Sequence, residues 1–428
     1  MAHGSKLQTM RNQCISQYAH HINKAQSRLL KFLDAPCELR STGALIFDEN
    51  DKPYLNCGGY GVFFLGHTHP SVIEPVSRQL HQHPLSCRSV INVEHAKAAE
   101  ALLTIAPENL SRVFFTNTGA EAVEVALKIA HLNGKQRIIS MRNGFHGKTQ
   151  GALSVTGNAS YRKDFLPLLN KVDFIDFGNI EAANAILSET GGDACLILEP
   201  IQGEAGVHIP PEGYLPALAE LCKKTNTLLI IDEIQTGMGR VGYWWSSAHQ
   251  GVTPDILLAG KGLGGGVIPV GAVMTTEIVF HQFNEDPLLH SSTFAANPLA
   301  MTAVQATIKT IKENLYLPKA RELGLKLLKQ LKQAVSPYPK NLIVDVRGQG
   351  LLLTIEFSAG HIAADFILEL MQRHIITCHS LNNSQTVRFT PPVILSADQI
   401  QWLISAVKQS LEVLTQRYCK KAPLEGGN

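Results

Sequence analysis

The sequence predicts an α/β fold: a mostly parallel central sheet flanked by helices, with a smaller α+β lobe built from both termini. Three observations carry that prediction. The first is the stretch Thr227–Gly266, TLLIIDEIQTGMGRVGYWWSSAHQGVTPDILLAGKGLGGG. Its apolar runs Leu228–Ile231 and Ile256–Ala259 stop abruptly, at Asp232 and at Gly260–Lys261. Short, uniformly apolar runs mark strands buried on both faces, as in a parallel sheet. The second is the alternation of strand-like and helix-like segments from about Ser71 to Met274, the pattern of repeated β-α units. The third is the change of pattern in the flanking regions. Bounds are therefore expected at residues 1–57 for the N-terminal segment of the small lobe, 58–312 for the large domain and 313–428 for the C-terminal small domain.

In chain order, residues 8–33 read as helical, and Ala44–Leu55 as a hairpin turning at Asp48–Lys52. Gly58–Pro70, GGYGVFFLGHTHP, is a glycine-rich loop that no regular element holds easily. Strands are expected at Val113–Thr116, Arg137–Met141, Val172–Phe177, Cys195–Glu199, Leu228–Ile231, Ile256–Ala259 and Val270–Met274. Helices are expected between them at Ala120–Leu132, Ile180–Leu187 and Pro211–Lys224. A long helix follows Asn297–Pro298, and a charged amphipathic helix covers Glu313–Ala334. Strand–helix–strand material runs to Thr390, and Gln399–Tyr418 closes the fold before a loose tail at 420–428.

With 428 residues, 45% hydrophobic and 17% charged, the chain has the composition of a soluble globular enzyme large enough for more than one lobe. A net charge of +2 without a long basic run gives no sign of nucleic acid or an anionic membrane as partner. No apolar stretch nears the roughly 20 residues of a membrane span. MAHGSKLQTMRNQ lacks the apolar core of a secretory signal. Eight cysteines, none in a C-x-x-C pair, fit reduced thiols and a cytoplasmic location.

Each central run delivers one charged group, Asp232 or Lys261, to the carboxyl end of its strand, where open α/β sheets bind ligands. A buried carboxylate and a buried ammonium each need a partner, so the pair points to a ligand that engages both. In TNTGAEAVEVALKIA, Thr116–Ala130, a strand ends, small residues turn and a helix begins. Thr118, Gly119 and Ala120 are thus candidate phosphate ligands at a helix N-terminus, although a capped helix without a ligand is the plainer reading of this segment alone. GLGGG after Lys261 matches neither nucleotide-loop pattern: Gly262 stands where Ser or Thr is needed, and Val267 where a final glycine is. His67 and His69 lack a third ligand at fitting spacing, so no metal is expected. No G-x-S-x-G occurs.

TNTGAEAVEVALK, GFHGKT, EPIQGEAGV, IIDEIQTGMGR, ILLAGKGLGGGVIPVGA, HSSTFAANPLA and RFTPPV follow one another in this order. Together they resemble the class III (ornithine and ω-amino acid type) aminotransferases, PLP-dependent transferases of fold type I, from about Leu45 to the final helix. The resemblance implies pyridoxal 5'-phosphate as cofactor. Lys261 would form the Schiff base with its aldehyde and then shuttle the substrate proton. Asp232 would pair with the pyridine nitrogen, keeping the ring an electron sink. Gln235 would bond the phenolic oxygen, Phe145 and Ile234 would pack on the two ring faces, and His146 would join this cofactor-binding set. Thr118, Gly119 and Ala120 would hold the phosphate, and Thr293 would reach it from the other subunit of a homodimer with shared active sites.

For the substrates, the resemblance assigns Arg388 in VRFTPPV to carboxylate binding, suited to 2-oxoglutarate or glutamate. Glu204 in EPIQGEAGV would pair with Arg388 while an amine end without a carboxylate reacts; Glu199 of the same motif reads as structural. Ornithine and acetylornithine enzymes generally carry Arg after FHG. Here it is Lys148, a clamp that is not bidentate. Tyr60 aligns with an aromatic that lines the amine side. FHGKTQGALSVTG, FGNIEA and LNNSQTVRFTPP are most similar to the putrescine (diamine) type, whereas the Gly58–Leu65 loop and the short N-terminus are less so. The expected reaction moves the terminal amino group of a diamine or ω-amino compound to 2-oxoglutarate, giving an aminoaldehyde and glutamate by a ping-pong route. The alternatives are an ornithine or acetylornithine aminotransferase, a biosynthetic aldehyde-aminating enzyme and, further off, an aminomutase or a non-catalytic cofactor-binding sensor.

Overall fold

The structure, a computed structural model, describes residues 2–419; the tail expected at 420–428 lies outside the described residues. In chain order the strands are β1 (Arg40–Thr42), β2 (Leu45–Phe47), β3 (Pro53–Asn56), β4 (Arg112–Thr116), β5 (Arg137–Met141), β6 (Val172–Ile175), β7 (Ala194–Leu198) and β8 (Leu228–Asp232). They continue with β9 (Ile256–Ala259), β10 (Gly271–Thr275), β11 (Ile343–Gln349), β12 (Leu352–Phe357), β13 (Ile375–Ile376), β14 (Cys378–Ser380) and β15 (Asn383–Phe389).

Seven strands form the central sheet in the order β4-β10-β9-β8-β7-β5-β6. The neighbours from β9 through β6 are parallel, and β10 alone runs antiparallel to both β4 and β9. Every residue of β7, β8 and β9 is buried. Alternate side chains on β8 serve opposite layers, as the two-residue period of a strand requires. Leu228 and Ile230 join Ala122, Ala126 and Ala130 of the helix Gly119–Leu132, whereas Leu229 and Ile231 join Leu215 and Leu218 of the helix Tyr214–Lys224. Both faces are thus covered, which is why these runs are apolar throughout. Each fully buried Leu or Ile contributes roughly 1.5–3 kcal/mol.

The helix expected over 8–33 is two helices, Ala2–Gln17 and Lys24–Phe32, joined by a π-helical turn over Tyr18–Ile22. Asn23 breaks it: its backbone is extended, and its side chain accepts from the N–H groups of Ala25 and Gln26, which starts the second helix. The expected hairpin is β2–β3, whose turn is closed by Asp48 Oδ1 accepting from Asn50 N and Lys52 N, each at 2.8 Å. β13 pairs in parallel with β3, so the two ends of the chain share the sheet β1-β2-β3-β13. The remaining sheet, β11-β12-β15-β14, is antiparallel. Its β14–β15 hairpin turns at Leu381–Asn382 and touches the large sheet domain, where Asn382 Nδ2 donates to Asn143 O at 2.7 Å. Among the described residues, no helix is long and apolar enough to cross a membrane.

Candidate active site

The parallel register sets Asp232, at the end of β8, opposite Leu258 of β9, and Lys261 follows two residues after β9 ends. Lys261 opens a 3-10 turn, Lys261–Gly264, with φ of +43°. That left-handed backbone costs a non-glycine residue about 1–2 kcal/mol. Its side chain enters a cavity of about 220 Å³. Gly119, Ala120, Phe145, His146, Asp232, Ile234, Gln235 and Lys261 line this cavity, all of them expected, together with Gly147 and Glu199. A larger groove, about 810 Å³, lies at the opposite end of the strands beside Leu228 and Asp255, away from Lys261.

The Asp232 carboxylate is 4% exposed; Oδ2 accepts from His146 Nδ1 at 2.7 Å and Oδ1 from Ile234 N at 3.0 Å. The other ring nitrogen of His146, Nε2, is buried without a partner among the described residues. Glu199 does more than the motif showed. Its Oε2 accepts from Phe145 N at 3.0 Å and its Oε1 from Gly203 N at 3.2 Å, tying two walls of the cavity together. Burial pushes its carboxyl up to about 7, with Asp232 adding to the rise and His146 and the two N–H groups opposing it. Burial likewise pulls the Lys261 ammonium below the ordinary lysine value, against the pull of Glu204 and Asp232. A lysine so shifted has more of the neutral, nucleophilic amine.

The cavity fits a planar cofactor with an anionic tail. Gln235 Nε2 and Oε1 are buried without partners among the described residues, ready for a polar ligand atom. A Cβ on Gly203 would stand 1.8 Å from Gln235 Oε1, and one on Gly119 would stand 2.8 Å from Ile234. A side chain at either position would displace the Gln235 or Ile234 side chain that lines the cavity. The N–H groups of Gly119 and Ala120, in the first turn of their helix, have no intrahelical partner and form an anion seat. Thr118 is not among the cavity-lining residues: its hydroxyl caps the helix, accepting from Glu121 N at 3.1 Å. Thr293, expected to act on the other subunit's site, lies outside its own chain's cavity; it is exposed, next to Ser292, which accepts from Asn117 Nδ2 at 2.9 Å.

Of the four residues expected to meet substrate, Tyr60, Glu204 and Arg388 lie together, and Lys148 stands apart, beside Tyr161. Arg388 Nη1 and Glu204 Oε1 are 2.7 Å apart, with both side chains buried. Burial alone would lower the guanidinium's pKa, but Glu204 and Cys378 raise it above the ordinary value. Arg388 Nη2 lies 3.8 Å from Cys378 Sγ, and its guanidinium 6.0 Å from the centre of the Tyr60 ring. Tyr60 has φ of +52° and is 47% exposed. Lys148 is exposed and rests its ammonium over the Tyr161 ring, 4.3 Å from the centre. Tyr161, Cys378 and Leu381 escaped the sequence reading because a single polar residue or a turn backbone carries no pattern of its own.

A family model described as aminotransferase class-III matches residues 34–411. The putrescine aminotransferase of Pectobacterium atrosepticum is 42% identical over 387 residues, covering 88% of this chain and 82% of that relative. Among solved structures, the ornithine aminotransferase of Toxoplasma gondii, crystallised with PLP partly occupying its active site, superposes with a TM-score of 0.84 at 30% identity, covering 90% of this chain and 91% of that one. The adenosylmethionine-8-amino-7-oxononanoate aminotransferase of Methanocaldococcus jannaschii gives 0.86 at 25% identity, covering 94% and 99%.

Proposed function

The chain belongs to the class III aminotransferases, which depend on pyridoxal phosphate, and on that premise we propose that it moves the terminal amino group of a putrescine-like diamine to 2-oxoglutarate. The observation that carries the reading is the Glu204–Arg388 ion pair beside Lys261, joined to the 42% identity with a putrescine aminotransferase. Bound pyridoxal phosphate supplies an aldehyde for the amino group and a protonated ring that takes up the electrons of the breaking C–H bond.

Lys261 holds the cofactor through Nζ and then moves the proton at the substrate carbon, a task its lowered pKa favours. Asp232, held by His146, would pair with the ring nitrogen. Of the residues lining the cavity, Gln235 would bond the phenolic oxygen, Phe145 and Ile234 would pack on the ring, and Gly119 and Ala120 would seat the phosphate. Arg388 grips a carboxylate of 2-oxoglutarate once Glu204 moves aside; with a diamine, Glu204 stays on Arg388, so no unpaired buried cation faces the alkyl chain. Tyr60 walls the amine side. Lys148, lying on Tyr161, offers no bidentate clamp for an α-carboxylate, which favours a diamine over ornithine.

The same reading makes the protein a homodimer in which Thr293 completes the partner's phosphate seat. Thr293 stands near Val90, Ile91, Leu288 and Phe294, which are 68%, 90%, 85% and 59% exposed. Arg88 donating to Ser292 O, and Asn92 Nδ2 to Ala296 O, hold the two segments together. An apolar face of this kind is matched to a partner surface. The division at residues 57 and 312 and a cytoplasmic setting, in keeping with eight free cysteines, complete the proposal.

A panel of putrescine, cadaverine, ornithine, acetylornithine, GABA and β-alanine with 2-oxoglutarate as acceptor tests the substrate. Putrescine should give the highest kcat/KM, about tenfold or more above ornithine, the loss that one missing carboxylate clamp imposes. Ornithine outpacing both diamines would overturn the diamine reading.

A further inference from the structure

We propose that the tip of the β14–β15 hairpin is a latch that biases Glu204 toward Arg388, with Tyr161 as the positioning residue that closes it. The inference rests on reading Glu204 and Arg388 as a switch. The Glu204 carboxylate is held at both oxygens: Oε1 lies 2.7 Å from Arg388 Nη1, and Oε2 accepts from Leu381 N at 2.9 Å. The backbone carbonyl of Glu204 accepts from Asn382 N at 2.9 Å. The turn that supplies both N–H groups is itself tethered to the large sheet domain. The Tyr161 hydroxyl donates to Leu381 O, Asn382 Nδ2 donates to Asn143 O at 2.7 Å, and Asn158 Nδ2 donates to Asn382 Oδ1 at 3.2 Å.

When Arg388 takes up the carboxylate of a 2-oxo diacid, Glu204 leaves two partners, not one. The Leu381 N–H, half-buried, then loses its acceptor, which adds to the cost of opening. Tyr161 holds the Leu381 carbonyl, in the next peptide group, whose own N–H, that of Asn382, donates to the Glu204 carbonyl; it thereby braces the turn that presents the Leu381 N–H. Burial and the nearby Glu204 raise the Tyr161 hydroxyl's pKa, so it remains a donor. Lys148 sits on the face of the same ring. The latch therefore favours the state in which Arg388 is neutralised, the one a diamine needs, and opposes the state a diacid needs.

The test follows the two half-reactions of the holoenzyme separately, through the absorbance of the bound cofactor. Tyr161→Phe keeps the ring and removes the hydroxyl. It should lower the half-saturating concentration of 2-oxoglutarate and raise that of putrescine, the two factors multiplying to roughly threefold, the weight of one hydrogen bond. Asn158→Ala, which loosens the turn from another side, should shift both in the same senses. A residue with a merely structural role would raise both. Glu204→Gln is run alongside and should show the same opposed shifts, larger. If Glu204→Gln shows them and neither Tyr161→Phe nor Asn158→Ala does, the latch is wrong and the switch stands. If Glu204→Gln shows no opposed shift, the switch fails and the latch falls with it.

Discussion

Glu199 concentrates the opposing demands of the site in one side chain. Its two backbone partners favour a carboxylate, but burial next to Asp232 raises its pKa from the ordinary 4.5 to about 7. Between these values the folded apoprotein holds a proton that the unfolded chain has released. The Glu199 contribution to stability is therefore greatest at low pH and is lost as pH rises toward about 7. Glu199→Gln removes this dependence. An amide nitrogen cannot accept from a backbone N–H, so the variant starts about 1 kcal/mol less stable at pH 5. Thermal melts of the two apoproteins should thus differ most at pH 5, and the gap should close or reverse by pH 7. A constant gap would contradict the assignment. Asp232 and Lys261 were legible because each ends an apolar run with a charge. The His146–Asp232 bond was not, because its partners are 86 positions apart, and neither was the anchoring of Phe145 by Glu199, 54 positions away.

At the scale of elements, the strand–turn–helix from β4 into Gly119–Leu132 does its work with backbone alone. Thr118 caps the helix through its hydroxyl, leaving the Gly119 and Ala120 N–H groups and the positive end of the helix dipole for an anion. Gly119 is held to glycine by Ile234, whose side chain would meet a Cβ at 2.8 Å. Gly119→Ala should push Ile234 into the ring space and weaken pyridoxal phosphate binding by about tenfold, an overpacking effect of roughly 1–2 kcal/mol. Titration of the apoprotein measures it, and unchanged affinity would place the phosphate elsewhere. The β-α alternation could be read because its two periodicities differ sharply. The reversal of β10 could not, since strand direction is decided by the neighbour and not by the strand's own residues. The helix break escaped for a different reason: Asn23 is a single residue whose side chain competes with the helix by capping the one that follows.

Across the whole molecule, Arg240 joins the parts. It is 1% exposed and, among the described residues, has no carboxylate partner. Its guanidinium donates to Gly61 O and Leu351 O, each at 3.1 Å, and to Pro391 O at 2.6 Å. Burial lowers its pKa to about 9, which leaves it charged at neutral pH. It thereby ties the loop bearing Tyr60 and the segment after Arg388 to the stretch that begins at Asp232. Nothing in the sequence distinguished this arginine from a surface one. The proposed function requires this assembly to bring one lysine, Lys261, to the aldehyde of the cofactor. Borohydride reduction of the holoenzyme followed by peptide mapping tests it directly. A pyridoxyl group on Lys261 alone is the predicted result; the group on any other lysine, or none on Lys261, would contradict it.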